Sequence, residues 1–176
     1  VKAGPAKRSL VFLAVTAEES GLLGSKFYAE NPVYPLANTV GGVNMDGVNN
    51  VGRAKDFVLV GVGKSELEDL VKPFVTAQDR VIVPEPTPER GYYYRSDHFS
   101  FAKLGVPMLY GESGEDLRVG GKAAGKKASD DYTANRYHKP SDEWTPDWRM
   151  DAAAVDVNLL YAVGRDLADS DQWPEW

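Results

Sequence analysis

Two adjacent glutamates, Glu18 and Glu19, follow the apolar run Leu10–Val15 and precede the small-residue turn Ser20-Gly21-Leu22-Leu23-Gly24-Ser25. Neighbouring carboxylates repel, and desolvating both without a partner costs stability, so a cation or a shared proton is the natural compensation. Both arrangements suit hydrolysis. A third acid, Asp46, closes the run Asn38–Val43 and Asn44-Met45-Asp46-Gly47. The chain has only two histidines, His98 and His138, and both stand in polar surroundings, Arg95-Ser96-Asp97-His98 and Tyr137-His138-Lys139-Pro140. Taken singly, each has a plainer reading. The glutamates suit the first turn of a helix, Asp46 suits an Asx-turn, and a loop histidine suits the surface.

The elements that must position these groups are legible in outline. Leu10–Val15 predicts a central strand buried on both faces, and Gly21–Glu30, with Leu22, Leu23, Phe27 and Tyr28 at helical spacing, predicts a helix. In open α/β sheets the carboxyl ends of strands face the ligand crevice, which is where Glu18, Glu19 and Asp46 fall. Further strands are expected at Asp56–Val62, Arg80–Val83 and Pro107–Tyr110. Helices are expected at Ser65–Gln78, with Leu67, Leu70, Val71 and Phe74 on one face, at Phe99–Leu104 and at Asp151–Asp169. The last carries a stripe of Ala154, Val155, Leu159, Ala162, Val163 and Leu167. Gly111–Arg136 reads as a long polar connection, either folded over the cleft or a surface insertion. The two tryptophans of Gln172-Trp173-Pro174-Glu175-Trp176 are expected to dock on the body. The pattern is α/β, a mostly parallel, mixed sheet between two helical layers.

Four segments in order, Thr16–Ser25, Asn44-Met45-Asp46, Arg95-Ser96-Asp97-His98 with Gly105-Val106-Pro107, and Tyr137–Asp142, resemble the zinc aminopeptidases related to glutamate carboxypeptidase and glutaminyl cyclase. The resemblance covers essentially the whole chain. It implies a hydrolase with two zinc ions acting on peptides, in which Glu18 is the general base toward the attacking water. Glu19 and His138 then serve one zinc and Asp46 the other. It also implies that Asp97 belongs to the hydrogen-bond network around the site rather than to the ligands. His98 is expected either to support that network or to build the turn, and Tyr92, Tyr93 and Tyr94 either to line a substrate pocket, Tyr94 foremost, or to pack against the core. Relatives of this kind imply an exported parent, periplasmic or secreted.

The family also uses an upstream histidine and a bridging aspartate, whereas Val1–Ala17 contains neither histidine nor acid. The expectation is therefore that residues 1–176 form the C-terminal part of one catalytic domain, lacking its first strands. One zinc then keeps two protein ligands and the other one, so the chain alone is expected to bind zinc weakly and to show little or no activity. The edge beside Leu10–Val15 is expected to stay open, inviting either the missing segment or a second copy. A cyclase-like acyltransferase and a metal-free binding module are the alternative functions; the Glu18-Glu19-Ser-Gly-Leu-Leu-Gly-Ser run favours the aminopeptidase.

Composition agrees. With 176 residues, 43% hydrophobic, the chain can bury a core. A net charge of −6 argues against nucleic acid as a partner, and the lysines that do cluster, Lys122, Lys126 and Lys127, read as a solvated loop. No run approaches a membrane span, so no membrane partner is expected, and the absence of cysteine leaves the redox compartment unread.

Overall fold

The computed structural model describes residues 4–176, so the first three residues of the expected domain lie outside the described residues. Four strands, β1 (Gly42–Asn44), β2 (Asp56–Leu59), β3 (Val81–Pro84) and β4 (Met108–Ser113), form a sheet in the order β1-β4-β2-β3. β1 runs parallel to β4, with Val43 opposite Leu109, and β2 runs parallel to β3. β4 and β2 are antiparallel, which makes the sheet mixed. Five helices, α1 (Leu23–Glu30), α2 (Leu67–Ala77), α3 (His98–Ala102), α4 (Gly121–Asn135) and α5 (Met150–Asp169), complete the α/β architecture.

Strand alternation divides the core into two. Phe57, Leu59 and Leu109 join Leu67, Val71 and Val75 of α2 and Leu159, Leu160, Val163 and Leu167 of α5. Tyr110 and Val60 pack with Tyr93 in a second cluster that Val58 and Phe99 border. The expected helices therefore form where apolar periodicity is strong, although the buried stripe of α5 is rotated to Ala152, Ala153, Leu159, Leu160, Val163, Leu167 and Ala168.

One charge is sealed into this core. The Arg80 side chain is 2% exposed and lies 2.6 Å from Asp156 Oδ1 of α5. Its guanidinium also donates to the Asp56 carbonyl and to Ser113 Oγ, tying β3, β2 and β4 together, and sits 5.2 Å from the centre of the Phe57 ring. Burial raises the Asp156 carboxyl above its ordinary value, and the arginine works against that rise.

Several expectations need correction. Leu10–Val15 is no strand; among the described residues nothing pairs with its backbone, and Phe12 is 89% exposed. Its apolar run marks an intention to be buried that no neighbouring strand here fulfils. The expected polar connection Gly111–Arg136 contains α4, a helix with little apolar face, supported by an i,i+4 pair of Lys126 with Asp130. The lysines thus lie on a helix. In α1 the buried residues are Ser25 and Ala29, while Leu23 and Phe27 face solvent. The C-terminal tail docks through Pro174, the Glu66 N–H donates to the Glu175 carbonyl, the Glu175 N–H donates to the Glu66 carboxylate, and the indole of Trp176 donates to the Gly105 carbonyl at 3.3 Å. Both tryptophan rings stay exposed.

Candidate active site

The turn bearing the two glutamates is built on unusual backbone. Ala17 and Leu22, on either side of it, have φ of 57° and 59°, the left-handed region that costs a non-glycine residue about 1 kcal/mol or more. A short 3-10 turn spans Glu18–Ser20 between them. Gly24 then lets α1 begin against the extended backbone around Thr16, its N–H donating to the Thr16 carbonyl at 2.9 Å. A Cβ at Gly24 would stand 2.5 Å from the Thr16 nitrogen and oxygen, so the helix can approach only through glycine.

His138 arrives from the far end of the sequence. It follows α4 in a tight turn in which the N–H groups of Arg136 and Tyr137 both donate to the Tyr132 carbonyl, and Tyr132 Oη donates to Asp142 at 2.7 Å. His138 itself has φ 57°, and the Tyr137 ring stacks on its imidazole at 3.9 Å. Its Nε2 lies 2.8 Å from Glu19 Oε1. The structure thus joins two of the expected metal donors.

Asp46, just beyond β1, is held by a neighbouring hydroxyl. Ser96 Oγ donates to Asp46 Oδ2 at 2.8 Å and itself accepts from the Asn44 amide at 2.8 Å. Tyr110 Oη lies 3.5 Å from the same oxygen and 2.5 Å from Glu112 Oε1. Ser96 and Tyr110 were not singled out from sequence. Ser96 lies inside a quoted motif, and only the fold reveals that its hydroxyl reaches Asp46.

Glu18 stands within electrostatic reach of three other acids. Glu18 is raised above the ordinary carboxylate value, first by burial and then by the negative charges of Glu19, Asp46 and Asp97, while Arg95 opposes the rise. Asp97 has a buried Oδ1 without a hydrogen-bond partner among the described residues. His98 is 1% exposed, neither ring nitrogen has a partner, and it is wedged between Tyr93 and Tyr110 at centroid distances of 4.7 and 4.8 Å. The ring is packed between tyrosines and, among the described residues, joins no hydrogen-bond network; at the same time His98 is the first residue of α3, next to the turn. Tyr93 is pressed over Gly61, where any Cβ would come 2.1 Å from its ring, whereas Tyr94 is 55% exposed with its edge on Phe99. Adjacent tyrosines therefore have opposite environments, and Tyr94 is open to a ligand.

Burial lowers the His98 pKa from 6.5 to about 4, partly offset by the charge of Asp46. Across that window the unfolded chain binds a proton that the folded chain does not, so stability falls as pH falls from 6.5 toward 4. The loss amounts to about 3 kcal/mol when complete. Urea denaturation at pH 7, 5.5 and 4.5 is expected to show this slope and to lose most of it in His98→Phe. An equally steep variant would assign the acid sensitivity to other groups.

Carboxylate oxygen and imidazole nitrogen suit zinc in kind, and the Glu19–His138 pair is a ready two-donor edge. In number they fall short. Among the described residues no group of three or more His, Asp, Glu or Cys side chains gathers closely enough to hold a metal ion.

The mixed sheet and its helices define an α/β protein of the architecture seen in the Legionella pneumophila LapA aminopeptidase. The likeness covers 90% of this chain and 38% of that one, with a TM-score of 0.58 at 17% identity. The chain belongs to peptidase family M28, whose family model matches residues 1–162. An aminopeptidase from Aneurinibacillus sp. strain AM-1 is also similar, with 21% identity over 92% of this chain and 32% of that one and a TM-score of 0.46. No curated protein sequence matches. The chain thus spans about two fifths of the length of the LapA structure.

Proposed function

We propose that the protein containing this chain is a zinc-dependent aminopeptidase, with Glu18 as general base, Glu19 and His138 as donors to one zinc, and Asp46 as donor to the other. The observation that carries this reading is the 2.8 Å approach of His138 to Glu19, two side chains brought from opposite ends of the chain to the residue beside Glu18. Zinc, when bound, supplies a Lewis acid for the scissile carbonyl and makes water easier to deprotonate. Glu18 receives the proton from water and returns it to the leaving amine. Its raised affinity for a proton moves it toward the pH at which a carboxylate works best as a base. Ser96 orients Asp46 by donating to Oδ2, while the Tyr110 hydroxyl, committed to Glu112, stands 3.5 Å from the same oxygen.

The donor count supports a further part of the proposal. Two donors and one fall below the three protein ligands of an ordinary catalytic zinc site, so the remaining ligands come from polypeptide outside this sequence. The unpaired, exposed stretch Leu10–Val15 supports the same view of where that polypeptide packs, a second copy of the chain being the competing occupant. Peptide substrates and an extracytoplasmic location are proposed on the family resemblance.

Calorimetric zinc titration tests the assignment. The chain by itself is expected to show no tight zinc site, and the full-length protein two, with Glu19→Gln and His138→Ala each weakening one of them. Two tight sites on the isolated chain would overturn the ligand assignment. Tight sites on the full-length protein that ignore both substitutions would do so as well.

A further inference from the structure

Arg95 stands apart from every other arginine among the described residues. Arg8, Arg53, Arg80, Arg90, Arg118, Arg136, Arg149 and Arg165 each make a hydrogen bond or an ion pair. Among the described residues the Arg95 side chain makes neither, although the chain carries 26 acidic residues. Its place is nonetheless fixed. The next residue, Ser96, is buried and bonded to Asp46, and the guanidinium lies 5.5 Å from the centre of the Tyr92 ring. A ring beneath a guanidinium restrains its plane and leaves its in-plane N–H donors free.

Its position one residue before Ser96, whose hydroxyl donates to Asp46, sets the exposed Arg95 side chain at the edge of the candidate centre. An unpaired, aromatic-backed guanidinium at the rim of a peptide-cleaving centre has the form of a two-pronged carboxylate receptor.

We propose that Arg95 is a specificity residue that binds a carboxylate of the substrate, so that the enzyme favours peptides carrying a negative charge near the bond it cleaves. This rests on the aminopeptidase reading above. Two substrate groups share that chemistry: the C-terminal carboxylate of a dipeptide, and an acidic side chain on its N-terminal residue.

The test uses the zinc-loaded full-length protein and its Arg95→Gln and Arg95→Lys variants, with kcat and KM measured on two matched pairs. Leu-Gly against Leu-glycinamide isolates the C-terminal carboxylate, and Glu-glycinamide against Gln-glycinamide isolates the side chain. In one pair the kcat/KM preference for the charged member is expected to fall at least tenfold in Arg95→Gln, chiefly through KM, and to return in part in Arg95→Lys. The pair that responds names the carboxylate. Calorimetric binding of the same compounds in a Glu18→Gln background is expected to show the same loss of preference without turnover. Equal losses for charged and amide members would mean that Arg95 acts through Glu18 or through structure, and would overturn the proposal. An unchanged preference in both pairs would overturn it too. A wild-type protein that binds zinc and cleaves none of the four compounds would instead remove the aminopeptidase reading on which it stands.

Discussion

Replacing Glu18 by glutamine in the zinc-loaded full-length protein is expected to lower kcat about a thousandfold, the middle of the range for loss of a general base, while KM and zinc content change little. Glutamine keeps the shape of the side chain and removes only its capacity to hold a proton. The turn tolerates it, because Gly21 and Leu22 bond to the backbone carbonyl of Glu18 rather than to its carboxylate. The pH profile offers a second check. The base works only when ionised, so activity is lost as pH falls through its pKa. Burial and three neighbouring acids place that limb above the ordinary glutamate value of 4.5. A Glu18→Gln protein with near wild-type kcat would show that another group accepts the proton.

Arg80→Met is expected to be the most damaging single substitution for stability. It removes a guanidinium that binds Asp156, the Asp56 carbonyl and Ser113, and it strands the Asp156 carboxylate in the core. Breaking one side of a buried ion pair costs about 3–5 kcal/mol. For a chain of this size that corresponds to a fall of about 10 °C in Tm. Because the stranded carboxyl already carries a raised pKa, the variant should lose further stability as pH rises and Asp156 is forced to ionise. The double variant Arg80→Met, Asp156→Leu is expected to recover at least half of the loss, since an apolar pair leaves no buried charge. Denaturant unfolding decides it: additive losses in the double variant would show that the two side chains act independently.

How much of this was legible in the residues depended on what kind of signal each element carries. α2 and α5 bury apolar residues at helical spacing, so their existence could be read, although the burying face of α5 was misplaced. α4 could not, because its Lys, Asp and Ala residues form a helix held by local pairs and by its connections, with only Gly125 buried. Leu10–Val15 failed for the opposite reason. Its composition predicts a buried strand correctly as a tendency, but a strand exists only with a partner, and residue types do not report whether one is present.

The site shows the same division. Glu18, Glu19, Asp46 and His138 were found as motif residues, and the fold brings His138 onto Glu19 across most of the sequence. The hydroxyl that holds Asp46 comes from the turn before α3 and the one that stands nearest beyond it from β4, and no spacing rule links Ser96 or Tyr110 to Asp46. His98 was ambiguous in sequence because a polar neighbourhood along the chain says nothing about the aromatic rings that enclose it in space.

The stretch from Ser9 to Val15 is tied at both ends. On one side the Arg8 N–H bonds to the Ala168 carbonyl and its guanidinium to the carbonyls of Leu167 and Gln172, at the end of α5. On the other, Thr16 is pinned to Gly24 at the start of α1. A segment spanning two fixed posts samples far fewer conformations than a free one, so a strand adding to it would face a small ordering cost. Complementation by a separate polypeptide would then behave as a simple second-order encounter, its rate rising linearly with concentration. Cutting the Arg8 clasp would convert it into a slower process limited by the search of a loosened chain.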